Sequence, residues 1–338
     1  MKINKKQLLD ALEIVKPGLA SKEQLEQTTS FAFFGGRVVT YNNEISISAP
    51  IHGMEITGAI QADNLYKFLG KIKKEEIELE VKGNEIVITS GKSKAGLTLQ
   101  SEIKLPLNED IAEKNDWNIL PENFLQGVRF VVSACGKDTN LPILTCVHVS
   151  QKGFVEASDN YRIAKYHLGE DMPLNTFLMP STSILTMVKL QPTQISEGKG
   201  WIHFKTEDEV IFSCRVFEDS YPDTKAFFNI QGEKVTFPKT IEEVLDRAGV
   251  FAKRDTVMDE TVNITISDRK LKVSSKSESG WFEEEVNMAY EGENLSFDVT
   301  PHLLKQILSE TLACVVGKGK LQFEGESWVY ITALRGDK

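Results

Sequence analysis

The sequence predicts an α+β protein of three similar domains, each with two helices packed on antiparallel sheets. Three observations carry this. The chain has 338 residues, long for one core and suited to two or three domains. Segments of helical periodicity return about 117 residues apart, at Asn4, Pro121 and Pro238. Between them, apolar and polar residues alternate on either side of Gly-containing turns, as antiparallel hairpins require.

The first helical triplet is INKKQLLDALEIVKPGLA from Ile3, ILPENFLQGVRFVVSACGK from Ile119, and TFPKTIEEVLDRAGVFAKRD from Thr236. Apolar residues fall at i, i+3 and i+4: Leu8, Leu9, Leu12 and Val15; Phe124, Val128, Val131 and Val132; Ile241, Val244, Leu245 and Val250. That spacing makes one face of a helix. Pro121 and Pro238 fall where a first helical turn tolerates proline. A second triplet follows about 60 residues later in each unit, entered at the N-cap-type residues Asp63, Ser181 and Thr300. Each of these is a short helix followed by two strands. The clearest hairpin is IELEVKGNEIVITS, where Ile77, Leu79 and Val81 alternate with glutamates ahead of a turn at Lys82-Gly83-Asn84. Glu76, Glu78 and Glu80 then face solvent.

Three units of this length fill the chain, and the period is too long for a solenoid. The expected domains are residues 1–115, 116–230 and 231–338. The polar, turn-rich stretches 108–116 and 229–235 are the joints.

Composition is that of a globular protein, 41% hydrophobic and 26% charged. Cys135, Cys146, Cys214 and Cys314 are dispersed, with no C-x-x-C pair, and read as buried, reduced thiols. The first residues lack the apolar stretch of a signal peptide, and no run approaches a membrane span, so a cytoplasmic protein with no membrane partner is expected. No catalytic constellation is legible. Gly91-Lys92-Ser93 lacks the upstream glycine of a phosphate loop, Ile86 standing there instead. The five histidines include no H-x-x-x-H pair. Asp159, Tyr161, Arg162 and His167 read as a strand-and-turn edge. No enzyme, cofactor or metal is expected.

The formal net charge is -10, unlike a typical nucleic-acid binder. Its distribution is uneven: the six expected helices (4–17, 63–74, 121–137, 181–191, 239–254 and 301–313) sum to about +7, leaving about -17 elsewhere. Basic helices and acidic strands can present opposite signs on two faces. Six such domains, from two chains, could close into a ring with the helices inside and no free sheet edge. A basic lining would attract phosphates without reading bases.

Two segments carry a resemblance. Ser158-Asp159-Asn160-Tyr161-Arg162-Ile163 is similar to the T-D-x-x-R-L segment, and Tyr221-Pro222-Asp223-Thr224 to the F-P-D-Y segment, of the bacterial DNA polymerase III beta subunit family. Leu141-Pro142-Ile143-Leu144 and the helix-hairpin from Asn64 are also family-like, and the likeness spans the chain. The resemblance implies the DNA clamp fold, in a ring closed by head-to-tail dimerisation. It implies a DNA sliding clamp that holds duplex DNA non-specifically and tethers a DNA polymerase and a clamp loader through short peptide motifs. The peptide pocket carried over by position is Leu144, Ser158, Asn160, Tyr161, Arg162, Ile163, Pro222 and Phe227, with Val329, Ile331 and Leu334 from the last strand. Such residues form an apolar slot for leucine or phenylalanine anchors, with Arg162 orienting a carbonyl or carboxylate. The sequence departs from the family at Ala226, where an arginine is usual, in lacking a basic residue near Ser181, and in the polar ending ALRGDK.

The expected phosphate contacts are Lys67, Lys71, Lys73 and Lys74, then Lys5, Arg129, Lys137, Lys189, Lys253 and Arg254. The competing expectation is a clamp-fold scaffold that binds peptides without encircling DNA.

Overall fold

The structure is a computed structural model describing residues 1–106 and 116–335. The expected joint at 108–116 lies, but for Asp116, outside the described residues, as do the last three residues of the polar ending. Six helices are described: α1 (Lys5–Val15), α2 (Ala62–Lys71), α3 (Phe124–Val131), α4 (Ser181–Leu190), α5 (Ile241–Ala252) and α6 (Pro301–Leu308). All fall within the expected segments, give or take a residue, but are shorter. After α1, Pro17 sits in a tighter turn, Lys16–Gly18, and α3 passes into one at Val132–Ala134. The molecule divides into two compact units, Met1–Leu125 with Met172–Glu218, and Gln126–Asp171 with Asp219–Lys338.

Helix starts differ in detail from the sequence reading. Asn4 caps α1, its side chain accepting from the Gln7 amide at 3.2 Å. Asp63 and Ser181, expected as caps, lie inside α2 and α4, and Gln61 and Pro180 hold the cap positions. Thr300 is the cap residue of α6, but its hydroxyl donates to the Met258 carbonyl. Pro121 and Pro238 precede their helices, and their carbonyls accept from the Phe124 and Ile241 amides at 2.9 and 3.0 Å. Proline ends an extended entry here rather than opening the helix. Val250, expected on the buried stripe of α5, is 61% exposed, because Ala248 and Ala252 complete that stripe.

In the first unit, strands Lys2–Asn4, Glu76–Lys82, Glu85–Ser90 and Ser93–Thr98 form a four-stranded sheet. Lys82 pairs with Glu85, leaving Gly83 (φ +58°) and Asn84 as the turn. Glycine meets the positive φ without steric cost. Ile77 and Leu79 are buried and Glu76, Glu78 and Glu80 exposed, as period two demands, but Val81, expected on the apolar face, is 48% exposed near the strand end. A larger sheet of eight strands runs Gly58–Gln61, Ser30–Phe34, Arg37–Tyr41, Ile45–Pro50, Ile211–Arg215, Trp201–Lys205, Gln194–Gly198 and Asn118–Ile119. Its seam joins Ile45–Pro50 to Ile211–Arg215, with Ser48 opposite Ile211. Arg37 crosses the seam to the Glu209 carbonyl at 2.6 Å, and Arg215 crosses back to the Asn43 carbonyl at 2.8 Å.

The second unit repeats this plan. Strands Cys146–Ser150, Phe154–Ser158 and Arg162–His167 meet Trp328–Ala333, Lys320–Glu324, Ala313–Gly317 and Gly232–Thr236 in that order, with Arg162 opposite Thr332 at the seam. The expected joint at 229–235 therefore ends inside a strand. Strands Gly280–Asn287, Lys270–Ser277, Val262–Ser267 and Leu295–Val299 form a second four-stranded sheet. All four cysteines are free and buried.

Candidate functional site

The seam of the second unit carries a cavity of 320 Å³. One lip is the turn from Ser158 to Arg162. The Asp159 carboxylate accepts from the Tyr161 and Arg162 amides, both at 3.1 Å, and from Arg162 Nε at 3.0 Å. This closed Asx arrangement puts Asn160 at φ +73°, which asparagine tolerates better than most residues. The Ser158 hydroxyl donates to the Arg162 carbonyl at 2.8 Å. The Asp159 and Arg162 side chains are almost wholly buried, and Arg162 Nη1 has no hydrogen-bond partner among the described residues. Burial pushes the Asp159 carboxyl up, while Arg162 and the two amides pull against it.

The opposite wall is the segment from Tyr221 to Phe227. The Tyr221 ring stacks on His148 at 5.0 Å between centroids, and burial pushes its phenol up. The Thr224 hydroxyl donates to Glu156 Oε2 at 2.7 Å. Phe227 is half exposed at the mouth, and Lys320 Nζ donates to its carbonyl at 3.1 Å. Leu144, Ile163, Ile331 and Ala333 add apolar lining. The result is an apolar slot edged by a guanidinium, an ammonium and hydroxyls, which suits a peptide anchor better than it suits bond-making chemistry.

Nine of the residues named from sequence line this one cavity: Leu144, Ser158, Asn160, Tyr161, Arg162, Ile163, Pro222, Phe227 and Ile331. Val329 and Leu334 do not. Val329 lies opposite Lys165, two residues before Ile331 along the strand, and Leu334 follows the strand end, its amide donating to the Gly319 carbonyl. Ala333 holds the place expected of Leu334. Tyr221, Asp223, Thr224, Gly319 and Lys320 also line the slot. The first three stand in the Tyr-Pro-Asp-Thr motif itself. Gly319 and Lys320 come from a hairpin turn whose only sequence signal is its glycines. A second cavity, of 520 Å³, shares Leu144, Asn160, Tyr161 and Arg162 and continues past them to Lys137, Val257 and His302.

The basic residues expected to meet phosphates fall in both units. In the first unit Lys71, Lys73, Lys74 and Lys189 are exposed. Lys67 pairs with Asp63 at 2.7 Å, and Lys5 donates to the Ile72 carbonyl at 2.8 Å. In the second unit Arg129 and Lys137 are exposed, Lys253 pairs with Glu260 at 3.1 Å, and Arg254 donates to the Lys253 and Lys276 carbonyls. Among the described residues no group of His, Cys, Asp and Glu could hold a metal ion, and no helix is long and apolar enough to cross a membrane.

No family model matches the chain. The beta sliding clamp of Streptococcus pneumoniae strain R6 is 24% identical over 332 positions, 89% of this chain and 87% of that one. The crystal structure of the DNA polymerase III beta chain from S. pneumoniae TIGR4 superposes with a TM-score of 0.85 at 21% identity, covering 99% of both chains. The Pseudomonas aeruginosa sliding clamp bound to griselimycin gives 0.85 at 16% identity, again over 99% of both. The chain therefore has the α+β DNA clamp fold. Within that fold, its likeness over nearly its whole length is to the bacterial beta sliding clamp.

Proposed function

We propose that this chain is a bacterial-type DNA sliding clamp subunit, a non-catalytic ring protein that encircles duplex DNA and tethers a DNA polymerase. Supporting this is whole-chain likeness in both sequence and fold, together with the slot at the seam of the second unit. Leu144, Ile163, Phe227 and Ile331 receive the apolar anchor of a partner's peptide, and Arg162 orients its backbone. The polymerase and the clamp loader use this slot in turn. Lys71, Lys73, Lys74 and Lys189, with Arg129 and Lys137, meet phosphates without reading bases. The chain comprises three repeats, 1–115, 116–230 and 231–338.

Two sheet edges support a route to closing the ring. Each seam within the chain joins two sets of strands into one larger sheet. One four-stranded sheet near each end of the chain has no such partner. Ser93–Thr98 edges the first, flanked by Lys92 and containing Lys94; Gly280–Asn287 edges the last, with a 70% exposed Trp281 and with Glu283, Glu284 and Glu285 paired to Lys272, Arg247 and Lys270. Pairing Ser93–Thr98 of one copy with Gly280–Asn287 of another, twice, covers one edge of each of these sheets in both chains.

The test combines light scattering with primer extension on a long template. A dimer near twice 37.9 kDa that lengthens polymerase products supports the reading. A monomer that binds Leu-Phe peptides and leaves product length unchanged overturns it in favour of a peptide-binding scaffold.

A further inference from the structure

The slot has one wall without regular strand structure, and a buried carboxylate stands behind it. Glu156 is 3% exposed on strand Phe154–Ser158, two residues before Ser158 and on the same face. Its Oε2 accepts the Thr224 hydroxyl at 2.7 Å, and its Oε1 meets His148 Nδ1 at 2.8 Å. Lys165 Nζ stands 3.9 Å from Oε2. His148 is opposite Glu156 on the neighbouring strand, and its ring stacks under Tyr221. Lys165 is opposite Glu156 on the other side and lies under Phe228, 5.2 Å from the ring centroid. Tyr221, Thr224 and Phe228 thus each rest on Glu156 or on a residue that Glu156 holds. A buried carboxylate is expensive unless its oxygens are satisfied, and here the wall supplies one of the donors.

We propose that Glu156 is a positioning residue for the peptide slot: through Thr224 and His148 it holds the Tyr221–Phe228 wall in the shape that accepts a peptide anchor. Glu156 does not line the slot and acts only through the wall. Asp223 and Lys225 sit on the same segment at the surface, whereas the link through Thr224 is a buried polar tie between wall and sheet. The inference rests on the slot being the partner site, and its test has an arm independent of that reading.

Thr224→Val keeps the side-chain shape and removes the hydroxyl, while Thr224→Ser keeps the hydroxyl. Two quantities are read in the full-length protein: amide exchange across residues 219–228, and the affinity of a fluorescein-labelled pentapeptide ending Leu-Phe. Thr224→Val and Glu156→Met, which removes the acceptor oxygens, should each speed exchange in 219–228 and weaken the peptide about tenfold, the scale of one buried charge-assisted hydrogen bond. The double variant should lose less than the product of the two, because both break one link. Thr224→Ser should restore both readouts. Exchange in strands Lys320–Glu324 and Trp328–Ala333 should not change. Wild-type exchange and affinity in Thr224→Val overturn the inference. If the wild-type protein does not bind the peptide at all, the reading of the slot fails, and the exchange arm still decides whether Glu156 holds the wall.

Discussion

Arg162 Nε donates to Asp159 Oδ2 at 3.0 Å, with both side chains about 95% buried, across a turn three residues long. The pair sits where the slot and the neighbouring cavity meet. Its guanidinium Nη1 is buried without a hydrogen-bond partner among the described residues.

Arg162→Ala leaves a buried carboxylate whose remaining partners are two backbone amides. Loss of one member of a buried pair costs about 3 kcal/mol. Urea denaturation should show that loss, and labelled Leu-Phe peptide binding should fall below detection. Asp159→Asn, which keeps the shape, should cost less.

Stability should fall on acidification, and His302 contributes to this. Burial first, then the charges of Arg162 and Lys137, push its imidazolium pKa down; Glu260 opposes and Lys305 adds to the shift. A group whose folded pKa lies below its unfolded value adds stability above the unfolded value, and that stability is lost as pH falls through the folded value. The window is therefore from about 6.5 downward. Melting temperature measured from pH 7 to pH 5 should fall less steeply in His302→Gln than in the wild type.

Charge reversal separates paired from unpaired lysines. Lys71, Lys73 and Lys74 are exposed, whereas Lys67 already pairs with Asp63. The triple Glu variant of the three should shorten polymerase products. It should also flatten the salt dependence of retention on nicked circular DNA, the slope falling by roughly one for each phosphate no longer neutralised. Lys67→Ala alone should have little effect. Unchanged retention in the triple variant would exclude these lysines from the DNA interface.

Trp281 is the largest exposed apolar side chain on the edge strand Gly280–Asn287. Buried aromatic anchors at interfaces are worth about 2 kcal/mol or more. Trp281→Asp should raise the dimer dissociation constant by roughly 30-fold in sedimentation equilibrium without changing the monomer's melting curve. A dimer of unchanged strength would place closure elsewhere.

Local order is largely legible in the sequence. The stripe of Leu8, Leu12 and Val15 and the alternation of Ile77 and Leu79 map onto buried faces because helix and strand periods are written residue by residue. The Tyr-Pro-Asp-Thr and Ser-Asp-Asn-Tyr-Arg segments point to the slot. Asp63 and Ser181 mislead as caps because a preceding extended residue, Gln61 or Pro180, serves as well. Val250 misleads as a core residue because two alanines pack closely enough to complete the buried stripe.

By itself the sequence determined the helical stripes, the hairpin at Lys82–Glu85 and the residues of two segments that line the slot, since all of these depend on near neighbours. Tertiary structure alone decided which strands meet at the seams. That choice brings Lys320 and Ala333 to the slot, stops Val329 short of it, and sets Glu156 behind Thr224, 68 positions away. Such contacts depend on strand register across a seam, and register comes from the packing of whole faces rather than from any local pattern.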